Sequence, residues 1–378
     1  MSLTCACSAA VLLTFAVGLP LMTLRAGGRV LSSTVFSGPA ALGRFGLEEV
    51  AWLVILTLVV APAVKLFILL SAMFGEHSSR PPRWLPWVYG WLDRISPWAM
   101  VEVFLLGVLV AYTRLRAIAS VEVGPSLVAL FGVMLTIVAA DATLDRHAIW
   151  EKLERQHPCG RVPPSASGTL IGCHFCGRVS RSPEGSACSR CQHRLHRRKP
   201  NSLTRAWAFM LAAAVSYIPA NALSIMTVTR LGRGGSHTIL SGVVQLFEDH
   251  LWPLAVVVLV ASVFVPIVKL VALAAMLVAT HRRSASHLVD RTRLFRVIAL
   301  IGRWSMIDIF ALTTLVALVR MGFLATVLPG DGAVAFAAVV VLTMLATECF
   351  DPRLMWDVAR VTSPRAFPSA VHSSLRRA

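Results

Sequence analysis

The stretch CHFCGRVSRSPEGSACSRC carries four cysteines as two C-x-x-C pairs, Cys173/Cys176 and Cys188/Cys191, eleven residues apart. Each pair lets one tight turn present two thiolates to a single tetrahedral ion. Four thiolates close the coordination shell and leave no position for a substrate, so the chemistry is that of a structural zinc (Zn2+) ribbon. Gly177, after the first pair, and Pro183 and Gly185, between the pairs, suit knuckle turns. Disulfides and a redox C-x-x-C are the rival readings. A lasting disulfide does not suit a segment assigned below to the cytoplasm, and a simple redox motif needs one pair only. His174, His193 and His196 lie close enough to replace a cysteine but are expected to be solvated loop residues. No role is assigned to Cys159, to Cys349, or to the C-x-C pair Cys5 and Cys7.

A second set of residues is unusual for where it sits. Lys65 interrupts the apolar run VAPAVKLFILL (60–70), and Lys269 interrupts FVPIVKLVALA (264–274). Lys65 lies about 15 Å from the nearer end of its apolar run at about 1.5 Å per helical residue, and Glu102 about 9 Å inside the next one. A lysine stem of about 6 Å lets the two meet at one depth. Lys269 and Asp308 repeat the sign pattern. Pro62 and Pro266 each precede the lysine by three residues. Each proline removes a helical hydrogen bond, freeing the carbonyls of Leu58 and Ser262 and predicting a kink. Charges at membrane depth face a cavity or a partner. Lys65, Glu102, Lys269 and Asp308 are therefore read as an intramembrane polar path for an amphiphile or a proton. The competing reading is a snorkelling lysine, or a buried pair that only locks two helices.

The elements that must hold these groups follow from composition. Of 378 residues, 56% are hydrophobic and 15% charged, against about 25% charged in soluble domains; the mean hydropathy is +0.70. Eight candidate spans are expected, at 8–24, 50–74, 95–113, 123–143, 206–228, 250–280, 297–322 and 333–349. The net charge of +17 is unevenly placed: segments 75–95, 144–205, 281–303 and 350–378 hold 26 of the Lys and Arg residues, and the alternate loops hold 8. That asymmetry is the positive-inside signature, with both termini cytoplasmic. It makes nucleic-acid binding an unneeded explanation of the charge.

The chain also repeats itself. VFSGPAAL (35–42) matches ILSGVVQL (239–246) and PAVKL (62–66) matches PIVKL (266–270), both at an offset of 204. WAMVEVF (98–104) matches WSMIDIF (304–310), and LDRHAIWE (144–151) matches FDPRLMWD (350–357), at 206. The expected architecture is an all-α polytopic membrane protein. Two parallel four-helix units, 1–151 and 206–358, flank a cytoplasmic linker, 152–205, that carries the ribbon at 173–191; a basic tail, 359–378, follows. Loops 25–49 and 229–249 are expected to form small extended structures, with Ser37-Gly38 and Ser241-Gly242 in tight turns.

The C-x-x-C pairs, HRRKPNS, YIPAN (217–221), TILSG (238–242), VPIVKL (265–270), GRWSMIDIF (302–310) and FDPRLMWD resemble the paraquat-inducible protein A family, densely over 170–358 and less so over 8–151. The resemblance implies a bacterial inner-membrane protein that handles membrane lipids with a periplasmic partner of the mammalian cell entry (MCE) type. It implies a part in moving phospholipid between the membranes, in envelope integrity and in stress resistance. It also implies a zinc ribbon ahead of each four-helix unit. Here the second ribbon is complete, but only Cys5 and Cys7 precede the first unit, so the first ribbon is expected to be missing.

A lipid-transport subunit is thus the leading expectation. A non-transporting anchor for the MCE partner and a small-molecule secondary transporter are the alternatives. The lysines are Lys65, Lys152, Lys199 and Lys269, and none lies in a G-x-x-x-x-G-K-[ST] phosphate loop, so ATP hydrolysis is not expected. No catalytic set of Ser, His and Asp or open metal site is apparent, and no enzymatic activity is expected.

Overall fold

The computed structural model describes residues 2–362 except 27–28, 78–81, 83, 117–119, 157–168, 231–232, 249, 251, 285 and 319–324. The basic tail falls largely outside these residues. The first half begins with α1 (Ser2–Gly18), the hairpin β1 (Met22–Ala26) and β2 (Arg29–Ser33), and the short α2 (Ser37–Arg44). Then α3 (Glu48–Ile55) passes through a π-helical turn (Leu56–Val60) into α4 (Ala61–His77). After α5 (Leu85–Tyr89), α6 (Leu92–Ile95) and a 3₁₀ turn (Ser96–Trp98) come α7 (Val101–Arg116), β3 (Ser120–Val123), α8 (Pro125–Thr143) and α9 (Arg146–Gln156).

The hairpin β4 (Thr169–Gly172) and β5 (Val179–Ser182) separates this half from the next. The second half runs α10 (Ser202–Ala222), β6 (Met226–Arg230), β7 (Arg233–His237), α11 (Ile239–Glu248) and α12 (Trp252–Leu259). A second π-helical turn (Val260–Phe264) leads into α13 (Val265–His281) and α14 (Leu288–Ile301). A 3₁₀ turn (Gly302–Met306), α15 (Ile307–Leu318), β8 (Ala325–Pro329), α16 (Gly332–Cys349) and α17 (Arg353–Thr362) complete it.

Among the described residues, seven helical stretches are long and apolar enough to cross a membrane. Trp52, Phe67, Phe131, Val215 and Ile218 turn more than half of their surface outward, which suits a hydrocarbon solvent rather than water. The expected first span, 8–24, is corrected. Helix α1 ends at Gly18, and Met22 and Leu24 are buried in a strand instead. Pro20 disfavours helix at the residue before it, and a short apolar run does not by itself separate strand from helix. At 17 residues α1 is shorter than the seven.

The expected extended loops are small sheets, ordered β2-β1-β3 and β7-β6-β8. Met22 pairs with Ser33 and Val123; Met226 pairs with His237 and Pro329. Each third strand comes from the connection between the third and fourth long helices of its half. Both sheets lie at one end of the bundle and the β4–β5 hairpin at the other.

Ser37-Gly38 and Ser241-Gly242 lie in α2 and α11 rather than in tight turns. The Ser37 hydroxyl accepts a hydrogen bond from the Thr34 N–H at 2.9 Å and the Ser37 N–H donates to the Thr34 carbonyl at 3.1 Å, so α2 starts directly on the turn that Ser37 closes. A Cβ on Gly38 would come within 2.4 Å of Thr313 Cγ2, so α2 is pressed onto α15; a Cβ on Gly242 would meet nothing within 4 Å.

The halves join along α7 and α15. Phe104 of WAMVEVF meets Phe310 of WSMIDIF edge to face, with centroids 5.5 Å apart. Gly107 allows this approach, because a Cβ there would sit 2.7 Å from Phe310 Cβ and 3.0 Å from the Ile307 carbonyl oxygen. Gly107→Ala is therefore expected to destabilise the protein by about 1–3 kcal/mol, as overpacked cores do. A lower thermal midpoint in detergent would show it, and an unchanged midpoint would contradict the close α7–α15 contact.

Candidate functional site

The ribbon forms because its backbone aims every sulfur inward. In the first knuckle the Cys173 N–H donates to the Arg178 carbonyl at 2.8 Å and the Gly177 N–H to the Cys173 carbonyl at 3.0 Å. In the second the Cys188 N–H donates to His193 and the Gln192 N–H to Cys188, both at 2.9 Å. The residue after each pair turns left-handed, Gly177 at φ +73° and Gln192 at φ 60°. Gln192 occupies without strain relief a conformation that costs a non-glycine residue about 1–2 kcal/mol. Pro183 and Gly185 belong to the turn after β5, not to either knuckle.

The four Sγ atoms lie within 4.8 Å of one another. Cys173 and Cys191, and Cys176 and Cys188, are 3.6 Å apart. A metal bound at about 2.3 Å per sulfur spaces them by about 3.8 Å in a regular tetrahedron, so the residues fit such an ion. Hydrogen bonding from Cys176 and Cys191 lowers the Cys173 thiol to about 6, and sulfur neighbours lower Cys188 too. The same crowding raises Cys176 and Cys191. A cation among them favours the fully ionised set. Among the described residues no histidine joins this cluster: His193 stacks on Phe175 instead, with centroids 5.2 Å apart. Cys159 lies outside the described residues.

The ribbon is wedged between the two halves. On one side Phe175 packs over Gly90, where a Cβ would lie 2.0 Å from the ring. Phe175 also meets Trp91 edge-on at 6.3 Å and the Arg94 guanidinium at 5.0 Å. Arg190 covers Trp150 at 5.5 Å. On the other side Arg198 grips Asp357 through two nitrogens, at 2.6 and 2.5 Å. The Lys199 side chain donates to the Glu348 carbonyl at 2.5 Å. The Ser202 hydroxyl donates to the Cys349 carbonyl at 2.8 Å and accepts from the buried Asp351 N–H at 2.9 Å. HRRKPNS and FDPRLMWD, distant in sequence, thus form one joint.

Both intramembrane lysines are buried, Lys65 at 4% exposure and Lys269 at 3%. Lys65 Nζ donates to Asp141 Oδ2 at 2.6 Å. Lys65, Glu102 and Asp141 line one cavity of about 290 Å³ beside Ser96, Met134 and Val138. The expected meeting of Lys65 with Glu102 is thus a shared cavity, in which Asp141 supplies the carboxylate that Lys65 grips. The second half differs. Lys269 Nζ donates to the Thr343 hydroxyl at 2.8 Å and lies against Gly302, where a Cβ would be 3.4 Å away. Asp308 accepts from the Ser262 hydroxyl. Asp308 and Ser262 line a separate, narrow cavity of about 50 Å³ with Val110, His237, Ile239 and Gly242. Gly242, where a Cβ would meet nothing within 4 Å, forms part of that wall.

Just ahead of Pro62 and Pro266, where the sequence leads one to expect kinks, the helices carry π-helical turns. In the first, the Thr57 carbonyl is released to accept from the Met100 N–H at 3.3 Å. In the second, Ser262 sits inside the turn. Each turn therefore abuts the start of α7 or α15, whose first turns hold Glu102 and Asp308. A helix N-terminus is a favourable place for a carboxylate. Asp141 and Thr343 were missed in the sequence; an acid inside an apolar span was the available signal for Asp141.

The profile described as Paraquat-inducible protein A matches residues 1–154 and 203–360. Intermembrane transport protein PqiA of Escherichia coli (strain K12) is 31% identical over 345 residues, covering 89% of this chain and 81% of that protein. Lipophilic envelope-spanning tunnel protein A of the same strain is 29% identical over 349 residues, covering 92% and 79%. A probable intermembrane transport protein of Haemophilus influenzae is 27% identical over 358 residues, covering 93% and 85%. No solved structure matches the chain.

Two outcomes follow from the ribbon. Cys188→Ser is expected to lower bound divalent metal, measured by mass spectrometry of purified protein, by more than about tenfold; undiminished metal would place the ion elsewhere. Gly90→Val is expected to lift Phe175 off its seat and speed amide exchange in β4 and β5 by about tenfold or more, the equivalent of about 1.4 kcal/mol. Unchanged exchange would mean that the ribbon is held by the second half alone.

Proposed function

Because the chain belongs to the paraquat-inducible protein A family, we propose that it is an inner-membrane subunit that passes phospholipid between that membrane and a periplasmic tunnel partner of the MCE type. The printed names of its relatives speak of intermembrane transport and of an envelope-spanning tunnel. The observation that carries the reading is the placing of charge at membrane depth around cavities: Lys65, Glu102 and Asp141 in the first half, Asp308 with Ser262 in the second. A chain serving only as an anchor has no use for such cavities, since apolar packing at these positions would be at least as stable.

The rest of the proposal follows from the arrangement. The ribbon end, rich in Lys and Arg, faces the cytoplasm, and both termini lie there. The two sheets then face the periplasm and offer the partner its docking end. The halves are copies of one unit. In support, the sheet orders, the π-helical turns, the 3₁₀ turns and the two profile-matched stretches correspond in order. Zinc occupies the ribbon, where a closed four-sulfur set supplies rigidity rather than chemistry. The chain carries no enzymatic step, so lipid moves downhill or on a proton gradient through the acidic groups.

The test is phospholipid transfer from vesicles containing the full chain and its periplasmic partner to acceptor vesicles. Asp308→Asn is expected to slow transfer by about tenfold or more while partner capture stays at the wild-type level. Transfer at the wild-type rate would remove the path through Asp308 and favour the anchor.

A further inference from the structure

We infer that the cleft between the ribbon and α17 is a binding site for an anionic phospholipid, one whose headgroup carries phosphate and no amine. The inference goes beyond the transport reading and does not draw on the intramembrane cavities. Charge, backbone donors and position carry it.

The cleft measures about 470 Å³ and is lined by β4, Arg197, Arg198, Arg353, Trp356 and Asp357, a size common among ligand sites. Three guanidinium groups against one carboxylate leave a surplus of two positive charges in its wall. Asp357 is gripped by Arg198. Arg197 and Arg353 are exposed, and their guanidinium groups make no hydrogen bond or ion pair among the described residues. Two other carboxylates on these segments accept backbone N–H groups instead and do not line the cleft. Asp351 takes those of Lys199 and Arg353 at 3.3 and 3.1 Å, and Glu184 that of Arg197 at 3.4 Å. The two arginines thus offer flat forks of donors, the geometry that fits phosphate oxygens.

The ribbon adds donors of its own. The Cys173 N–H donates to the Arg178 carbonyl across the hairpin at 2.8 Å. The alternation of an antiparallel ladder therefore turns the N–H groups of Leu170 and Gly172 away from β5. No other strand pairs with that edge of β4 among the described residues, and β4 forms one wall of the cleft. Gly172 leaves room there: a Cβ on it would lie 4.0 Å from Arg353 Nη1, so the guanidinium stands beside the strand backbone. A guanidinium next to outward-turned backbone N–H groups is a site for an anion.

Position makes that anion a lipid. The Trp356 indole N–H donates to the Thr292 hydroxyl of α14 at 3.1 Å. The cleft therefore opens where the stretches Leu288–Leu318 and Gly332–Asp357 reach their ends. At that level tryptophan anchors among headgroups and basic pockets take anionic ones. Trp356 and Leu170 are both exposed, which gives a glycerol backbone and its chains apolar surface beside the arginines. The matching motif of the first half makes the contrast. LDRHAIWE places His147 where FDPRLMWD places Arg353. His147 meets Glu151 at 3.2 Å, and the neighbouring Arg146 pairs with Asp93. Those basic groups are answered within the protein, so the site is assigned to the second half.

The full chain is purified in a neutral detergent and exchanged against mixed micelles of equimolar phosphatidylglycerol and phosphatidylethanolamine, and the retained lipid is quantified by mass spectrometry. Wild type is expected to enrich phosphatidylglycerol about tenfold, the worth of one charge-assisted hydrogen bond. Arg353→Gln and Arg197→Gln are each expected to cut that enrichment about threefold or more, and the double variant to abolish it. Arg282→Gln removes an exposed arginine at the end of α13, outside the cleft, and is expected to keep the wild-type ratio. Equal retention of the two lipids by wild type, or enrichment that survives the double variant, would overturn the inference. So would an equal loss in Arg282→Gln, which would mean attraction to basic surface at large. Excess inorganic phosphate at matched ionic strength is expected to leave the ratio unchanged, because the acyl chains contribute to binding. A fall to equality would mean a site for soluble phosphate and overturn the lipid assignment. The readout is retained lipid and not transfer, so each of these outcomes leaves the transport reading standing.

Discussion

The constraint that organises this molecule is the presence of ammonium groups deep inside apolar helices. An ion removed from water costs several kcal/mol even after relaxation, so the chain around it must supply polar partners without itself unfolding. The lysines' partners come from other helices, Asp141 for Lys65 and Thr343 for Lys269, and the lysine-bearing helices are irregular just ahead of them. A π-helical turn ahead of Pro62 releases the Thr57 carbonyl toward Met100, and the equivalent turn ahead of Pro266 places Ser262 against Asp308. The 3₁₀ breaks at Ser96–Trp98 and Gly302–Met306 then open the facing helix, so that α7 and α15 begin at membrane depth with an acidic residue in the first turn. Irregular backbone is tolerated at that depth only where protein or a cavity satisfies it, and both conditions are met.

A second constraint acts at the opposite end from the sheets. The ribbon has little apolar core of its own, and its cysteines, Phe175 and Leu195 complete a cluster with Ile68, Leu69, Trp150 and Leu153 of the first half. Its trailing segment is fastened to the second half by Arg198, Lys199 and Ser202. The four-cysteine ribbon and both membrane halves are thereby coupled: a change in the angle between the halves must pass through the ribbon or break one of its two seats. A closed four-sulfur centre is well suited to such a part, because it holds shape without offering an open coordination position.

Much of this was legible in the sequence, and the rest was hidden for definite reasons. The spacing of Cys173, Cys176, Cys188 and Cys191 sufficed to find the four-sulfur cluster, because ligand geometry is local. Lys65 and Lys269 stood out because a charge in an apolar run is rare. The partners did not, since they come from a different helix: Asp141 lies 76 residues from Lys65 and Thr343 lies 74 from Lys269. The π-helical turns escaped notice because proline predicts a lost hydrogen bond but not how the preceding turn re-forms. The third strand of each sheet was missed because Ser120–Val123 and Ala325–Pro329 gain their partners only when the long helices bring their ends together. Likewise Gly38 and Gly242 look alike in sequence, yet one is pressed against Thr313 and the other borders a cavity.

Whether the intramembrane charges serve lipid passage or only lock helices is the central question, and replacing Lys65 and Asp141 together answers it. The double variant Lys65→Met with Asp141→Leu exchanges an ion pair for apolar bulk, a change that is often neutral or stabilising when the pair is purely structural. Thermal stability and phospholipid transfer should be measured on the same preparation. The account predicts stability at or above that of wild type with transfer reduced by about tenfold or more. A stable double variant that transfers phospholipid at the wild-type rate would contradict it and make the pair a structural lock.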